Sequence, residues 1–195
     1  MKPSPTRDAL LDAACTLFYQ QGIRATSIDA ILEKAGVARQ SLYLHFESKD
    51  GLIAEFLRVR DERWRGWMRS HVAKAGNNPH YKLLAIFGFL ADWFAEPGFH
   101  GCAFINTAVE YTDPQHPFRT LASHHKRLVQ EDILALCQEA AIPEPQVMAR
   151  HLALLMEGAI VTEQVTPGSQ AAQQAQQIAA ILLSQTQGEL HAVLH

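Results

Sequence analysis

Residues 26–52 read TSIDAILEKAGVARQSLYLHFESKDGL, the pattern of two short helices joined by a glycine turn and followed by a third helix start. A helix is expected to begin at Thr26 or Ser27, since either hydroxyl can accept a hydrogen bond from a free backbone N–H of the first turn. Its inward face is Ile28, Ile31, Leu32 and Ala35, and Gly36 supplies a sharp turn. The segment 38–46 then forms a helix too short to bury much surface alone. Leu42 and Phe46 must pack inward, leaving Arg39, Gln40, Ser41, Tyr43 and His45 outside. A short helix with that outer face has the size and polarity to lie in a DNA major groove.

Upstream, Leu10, Ala13, Ala14, Leu17 and Phe18 recur at helical spacing, so a first amphipathic helix precedes the pair and ends near Gly22. Downstream, Ser48 can cap a fourth helix whose inward face is Ile53, Phe56, Leu57, Trp64, Trp67 and Met68. Lys49 stands beside the free N–H groups of that helix start, which suit a phosphate.

Read in order, Thr26, Ile28, Ile31, Ala35, Gly36, Val37, Leu42, Tyr43, His45, Phe46, Ser48, Lys49 and Leu52 resemble the N-terminal signature of the TetR/AcrR family of helix-turn-helix transcriptional regulators. The likeness covers about residues 7–55 at the level of motif. Two positions depart from it. Ala38 stands where the family usually carries a hydroxyl that caps the recognition helix, at a cost of about 1 kcal/mol. Gln40 replaces a residue that is often small, placing an amide able to read adenine close to the groove.

The resemblance implies an all-α fold with a helix-turn-helix DNA-binding domain over 1–47 and a larger helical ligand-binding and dimerisation domain over 48–195. It also implies a regulator, most simply a repressor, working on double-stranded DNA; with neither a membrane span nor a signal peptide legible in the sequence, the protein is expected in the cytoplasm. Arg39 and Gln40 are the candidates for base edges, because forked donors and acceptors pair with guanine and adenine. Thr26, Ser27, Ser41, Tyr43, His45 and Lys49 are candidates for positioning on the DNA, chiefly through phosphates. A packed tyrosine and a surface histidine are the plainer readings of Tyr43 and His45.

Composition limits the field. The net charge is −3, and residues 1–50 balance six basic against six acidic side chains, so DNA contact must be local. Residues 58–74 carry Arg58, Arg60, Arg63, Arg65, Arg69 and Lys74 against Asp61 and Glu62; such a run ordinarily forms a solvated helix face, with DNA contact as the alternative. No segment reads as a membrane span or a signal peptide. Cys15, Cys102 and Cys137 form no CxxC pair, which argues against a disulfide framework and a zinc site. His124 and His125 point about 100° apart on a helix and make poor co-ligands, and no cofactor is expected.

After a polar break at 75–79, residues 83–94 are apolar on nearly every side and predict a central helix. Residues 101–111 predict a short helix, and 118–140 a longer one. The last two helices, about 144–165 and 170–190, carry more apolar surface than one domain can cover. A symmetric homodimer through a four-helix bundle accounts for the surplus; burial within the chain is the alternative.

An input site for a small apolar or aromatic effector is expected among Trp64, Trp67, Phe87, Trp93, Phe94 and Phe104, with Asn106, Glu110, His151 and Glu157 as polar groups. Cys102, at a helix start that favours a thiolate, is either part of that site and a thiol sensor or a small buried hydrophobe. A helical small-molecule binding protein without DNA binding remains a second function class. An enzyme has the least support, because no nucleophile, base and orienting group occur together in a motif.

Overall fold

A computed structural model describes the backbone of residues 4–193 and the side chains up to residue 185. The ends of the two predicted domains, residues 1–3 and 194–195, lie outside the described residues. Among the described residues the chain is helical throughout: α1 (Pro5–Gln21), α2 (Ile28–Ala35), α3 (Arg39–Phe46), α4 (Lys49–Ala73), α5 (Pro79–Phe94), α6 (Ala103–Glu110), α7 (Pro117–Glu139), α8 (Pro145–Val165) and α9 (Ala171–Val193). The order and extents follow the apolar periodicity closely.

The chain divides into two compact units. The first contains Met1–Trp64 and Cys102–His125, so it holds α1–α3, the first part of α4, all of α6 and the start of α7. It is built on Leu10, Ala14, Phe18, Ile31, Leu42, Phe46, Leu52 and Phe56, all buried, with the rings of Phe18 and Phe56 5.5 Å apart. Ser4 starts α1 by accepting from the Arg7 N–H, with Pro5 at the first position, where its missing donor costs nothing. Gly22 ends the helix at φ 90°, ψ 157°, a conformation open to glycine. Ser27 caps α2, accepting from the Ala30 N–H at 3.1 Å, and Gly36 closes it in the left-handed region at φ 66°. Ala38 offers α3 no side-chain bond, as its methyl dictates.

The second unit contains Arg65–Gly101 and Lys126–His195. Its central element is α5, which buries Leu83, Ile86, Phe87, Phe89, Leu90 and Trp93 and lies against α8 and α9. The small side chains Ala171, Ala172, Ala175 and Ala179 let α9 approach closely, and Ala149, Leu152, Met156 and Ile160 form the buried side of α8. Trp67 was expected on the inward face of α4; its ring meets Phe89 edge-on at 4.9 Å but it stays partly exposed.

Candidate DNA-binding interface

Helix α3 is seated by Leu42 and Phe46, both buried, and this orients everything else on it. Arg39, Gln40, Tyr43 and Leu44 are exposed, while Ser41 and His45 are half-buried. The Arg39 guanidinium pairs with the Asp29 carboxylate of α2. A hydrogen bond to the Tyr43 hydroxyl, followed by the charge of Asp29, pushes its pKa up, so it stays cationic. The outer face therefore presents a permanent cation, an amide and a phenol side by side: donors and acceptors for base edges and phosphates.

Three of the residues expected on DNA are committed elsewhere. Thr26 is 1% exposed. Its hydroxyl donates to the Gly22 carbonyl at 2.7 Å, with the Leu17 carbonyl 3.3 Å away, so it ties the start of α2 to the end of α1. Lys49 turns inward as well: Nζ donates to the Ile23 carbonyl at 2.9 Å and lies over the Phe18 ring, and desolvation lowers its pKa. His45 is half-buried, its Nε2 3.4 Å from Ser4 Oγ and its ring against Phe46. Ser27 and Ser48 are exposed, and each caps the helix that follows, with Ser48 Oγ accepting from the Gly51 N–H at 3.0 Å. The basic run on α4 is largely spent on internal pairs: Arg58 with Glu55 and Glu62, Arg63 with Asp12, Arg65 and Arg69 with Asp132, and Arg60 over the Tyr19 ring.

Two features of the first unit escape a reading of the sequence. Glu110, expected to face an effector, instead accepts from the backbone N–H groups of Ile23 at 3.0 Å and Arg24 at 2.7 Å, the turn between α1 and α2. Arg24 covers the Tyr111 ring, and Arg119 donates to the Ala108 carbonyl at 2.9 Å at the end of α6. The C-terminus of α6 is thus fastened to the reading head. The other feature is His125, buried with Nδ1 2.6 Å from Asp61 Oδ1. Phe104 stacks on its ring at 3.7 Å and Trp64 meets it edge-on, so these two aromatics pack on a histidine–carboxylate pair.

The effector candidates divide between the two units. Trp64, Cys102, Phe104, Asn106 and Glu110 belong to the first unit, and Trp67, Phe87, Trp93, Phe94, His151 and Glu157 to the second. Cys102 is buried at the cap of α6, His151 is exposed, and Glu157 pairs with Lys126 at 2.6 Å. Phe94 lines a shallow depression of about 200 Å³ with Ala91, Glu163, Gln170 and Gln173. Burial pushes the Cys15 and Cys137 thiols up to about 11. Among the described residues no helix is long and apolar enough to cross a membrane.

A short, externally polar helix held across a glycine turn from its partner defines the helix-turn-helix class of DNA-binding proteins. Residues 10–56 match the family described as bacterial regulatory proteins, tetR family. Over longer spans the chain is 31% identical to the HTH-type transcriptional repressor ComR of Escherichia coli K12, covering 75% of this chain and 72% of that protein. It is 25% identical to the HTH-type transcriptional regulator YjdC of the same strain, covering 79% and 81%. The crystal structure of SCO4454, a TetR-family transcriptional regulator from Streptomyces coelicolor, superposes with a TM-score of 0.88 at 28% identity, covering 95% of this chain and 91% of that one. The chain belongs to the TetR family and is a transcriptional regulator, not an enzyme.

Proposed function

We propose that the protein is a homodimeric, effector-responsive repressor that binds a near-palindromic operator from the cytoplasm. The observation that carries this reading is the outer face of α3, where Arg39 and Gln40 are exposed beside Tyr43 while Leu42 and Phe46 fix the helix from behind. Arg39 and Gln40 read base edges; Ser27, Ser41 and Tyr43 hold phosphates. Residues 1–47 form the reading domain, and 48–195 carry dimerisation and effector response.

Dimerisation is supported by the apolar side chains α8 and α9 leave in solvent: Leu154 (71% exposed) and Val165 (76%), with Val161, Ile178 and Ile181. A second copy covers them in a four-helix bundle. Two reading helices related by a twofold axis then face half-sites roughly 34–36 Å apart. The effector, an apolar or aromatic small molecule, acts by displacing α6. Displacement breaks the bonds from Ile23 and Arg24 to Glu110 and frees the α1–α2 turn. A coupling of about 1–3 kcal/mol, typical between linked sites, lowers operator occupancy several-fold.

The test is selection of the purified protein on a random duplex library, with sedimentation of the free protein in parallel. A dimer that enriches an inverted repeat supports the reading. A monomer contradicts the dimer, and no enrichment with weak salt-sensitive binding alone contradicts operator binding and favours a small-molecule binding protein.

A further inference from the structure

Leu44 is 79% exposed, a large aliphatic side chain standing in water in the last turn of α3. Successive residues on a helix are separated by about 100°, which places Leu44 roughly 160–200° from the buried Phe46 and Leu42 and so at the crest of the outer face. Gln40, one turn earlier, shares that crest and is exposed too. The ion-paired Arg39 and its partner Tyr43 lie to one side of it.

A leucine at the crest of a reading helix has one natural counterpart in the major groove. Among the four base pairs, only thymine presents an apolar group there, its 5-methyl; the remaining major-groove edges offer hydrogen-bond donors and acceptors that an isobutyl group cannot satisfy. Burying Leu44 against a donor or acceptor would leave that group without water or partner, so the side chain discriminates by penalty as well as by contact. We propose that Leu44 is a specificity-determining residue that selects thymine at one position of each half-site by packing on its 5-methyl group, beside the base read by Gln40. This rests on the reading that α3 enters the major groove.

The test uses the full chain and the duplex it enriches. Each thymine of one half-site is replaced in turn by deoxyuridine, which removes the methyl group and leaves every hydrogen-bonding group in place. The expected result is a single sensitive thymine, where loss of one methyl weakens the wild type about four-fold, the factor corresponding to one buried methylene-sized group. Leu44→Ala binds the thymine duplex about as weakly as the wild type binds the uracil duplex and no longer distinguishes the two. Because Leu44 makes no core contact, the variant should melt with the wild type. If the wild type is indifferent to uracil at every position, or Leu44→Ala still senses the methyl, the inference fails while sequence-specific binding stands. If no duplex is enriched, the reading of α3 fails and the inference with it.

Discussion

The two carboxylate oxygens of Glu110 accept from the Ile23 and Arg24 N–H groups at 3.0 and 2.7 Å, across 87 and 86 residues of sequence. A hydrogen bond to a charged group is worth about 1.5–3 kcal/mol, and the exposure of the Arg24 bond puts this pair near the lower end. Glu110→Ala is therefore expected to cost about 2–3 kcal/mol. For a chain of this length that corresponds to a fall in melting temperature of about 5–10 °C. Glu110→Gln keeps one acceptor and turns a donor towards the second N–H, so it should recover only part of the loss. Circular-dichroism melting measures the stability, and amide hydrogen exchange at Ile23 and Arg24 should accelerate in both variants. A melt within about 1 °C of the wild type, with those amides unchanged, would refute the latch and with it the proposed route from α6 to the reading head.

Other substitutions separate internal roles from DNA contacts. Thr26→Val is expected to destabilise the protein by about 1–2 kcal/mol by leaving the Gly22 carbonyl without its donor; an unchanged melt with weakened DNA binding would return Thr26 to the phosphates. Ala38→Ser should add a cap to α3 and raise stability by about 1 kcal/mol, seen as a melt a few degrees higher; no rise would mean the new hydroxyl does not reach its N–H. Glu55 is held down at about 2, first by its hydrogen bond from Arg58 and then by Arg7, against an ordinary 4.5. A depressed carboxylate stabilises the fold fully above pH 4.5 and progressively less as the pH falls towards 2. Denaturant titrations from pH 6 to pH 2.5 should show that loss in the wild type and a shallower one in Glu55→Gln; equal slopes would mean the arginine pair does not favour the charged form.

What could be read from the sequence was whatever depends on near neighbours. Apolar spacing marked each helix, and Gly22, Gly36 and Ser27 sit where a left-handed turn or a free N–H demands them. The missing cap at Ala38 was equally plain, since it turns on one side chain. Roles set by distant partners were not legible. Lys49 has the position of a phosphate ligand but is drawn to the Ile23 carbonyl, and Thr26 serves α1 in place of its own helix. Glu110 looked like a polar group in an apolar pocket because nothing local reveals that its donors lie in the α1–α2 turn. The adjacent pair His124 and His125 suggests in sequence no more than a poor metal site, whereas His125 is engaged with Asp61, 64 residues away in sequence. Nothing in the sequence around Leu44 marks it, because a leucine on a short helix reads as core; only its exposure singles it out.

Base reading by Arg39 and Gln40 on α3 is measured as the ratio of affinities for the enriched duplex and for a scrambled duplex of equal length across salt, in the wild type and in the double variant Arg39→Ala/Gln40→Ala. The ratio is expected to collapse towards one in the variant while binding to scrambled DNA changes little. If both affinities fall by the same factor and the ratio survives, these side chains serve the phosphate backbone, and the sequence is read elsewhere.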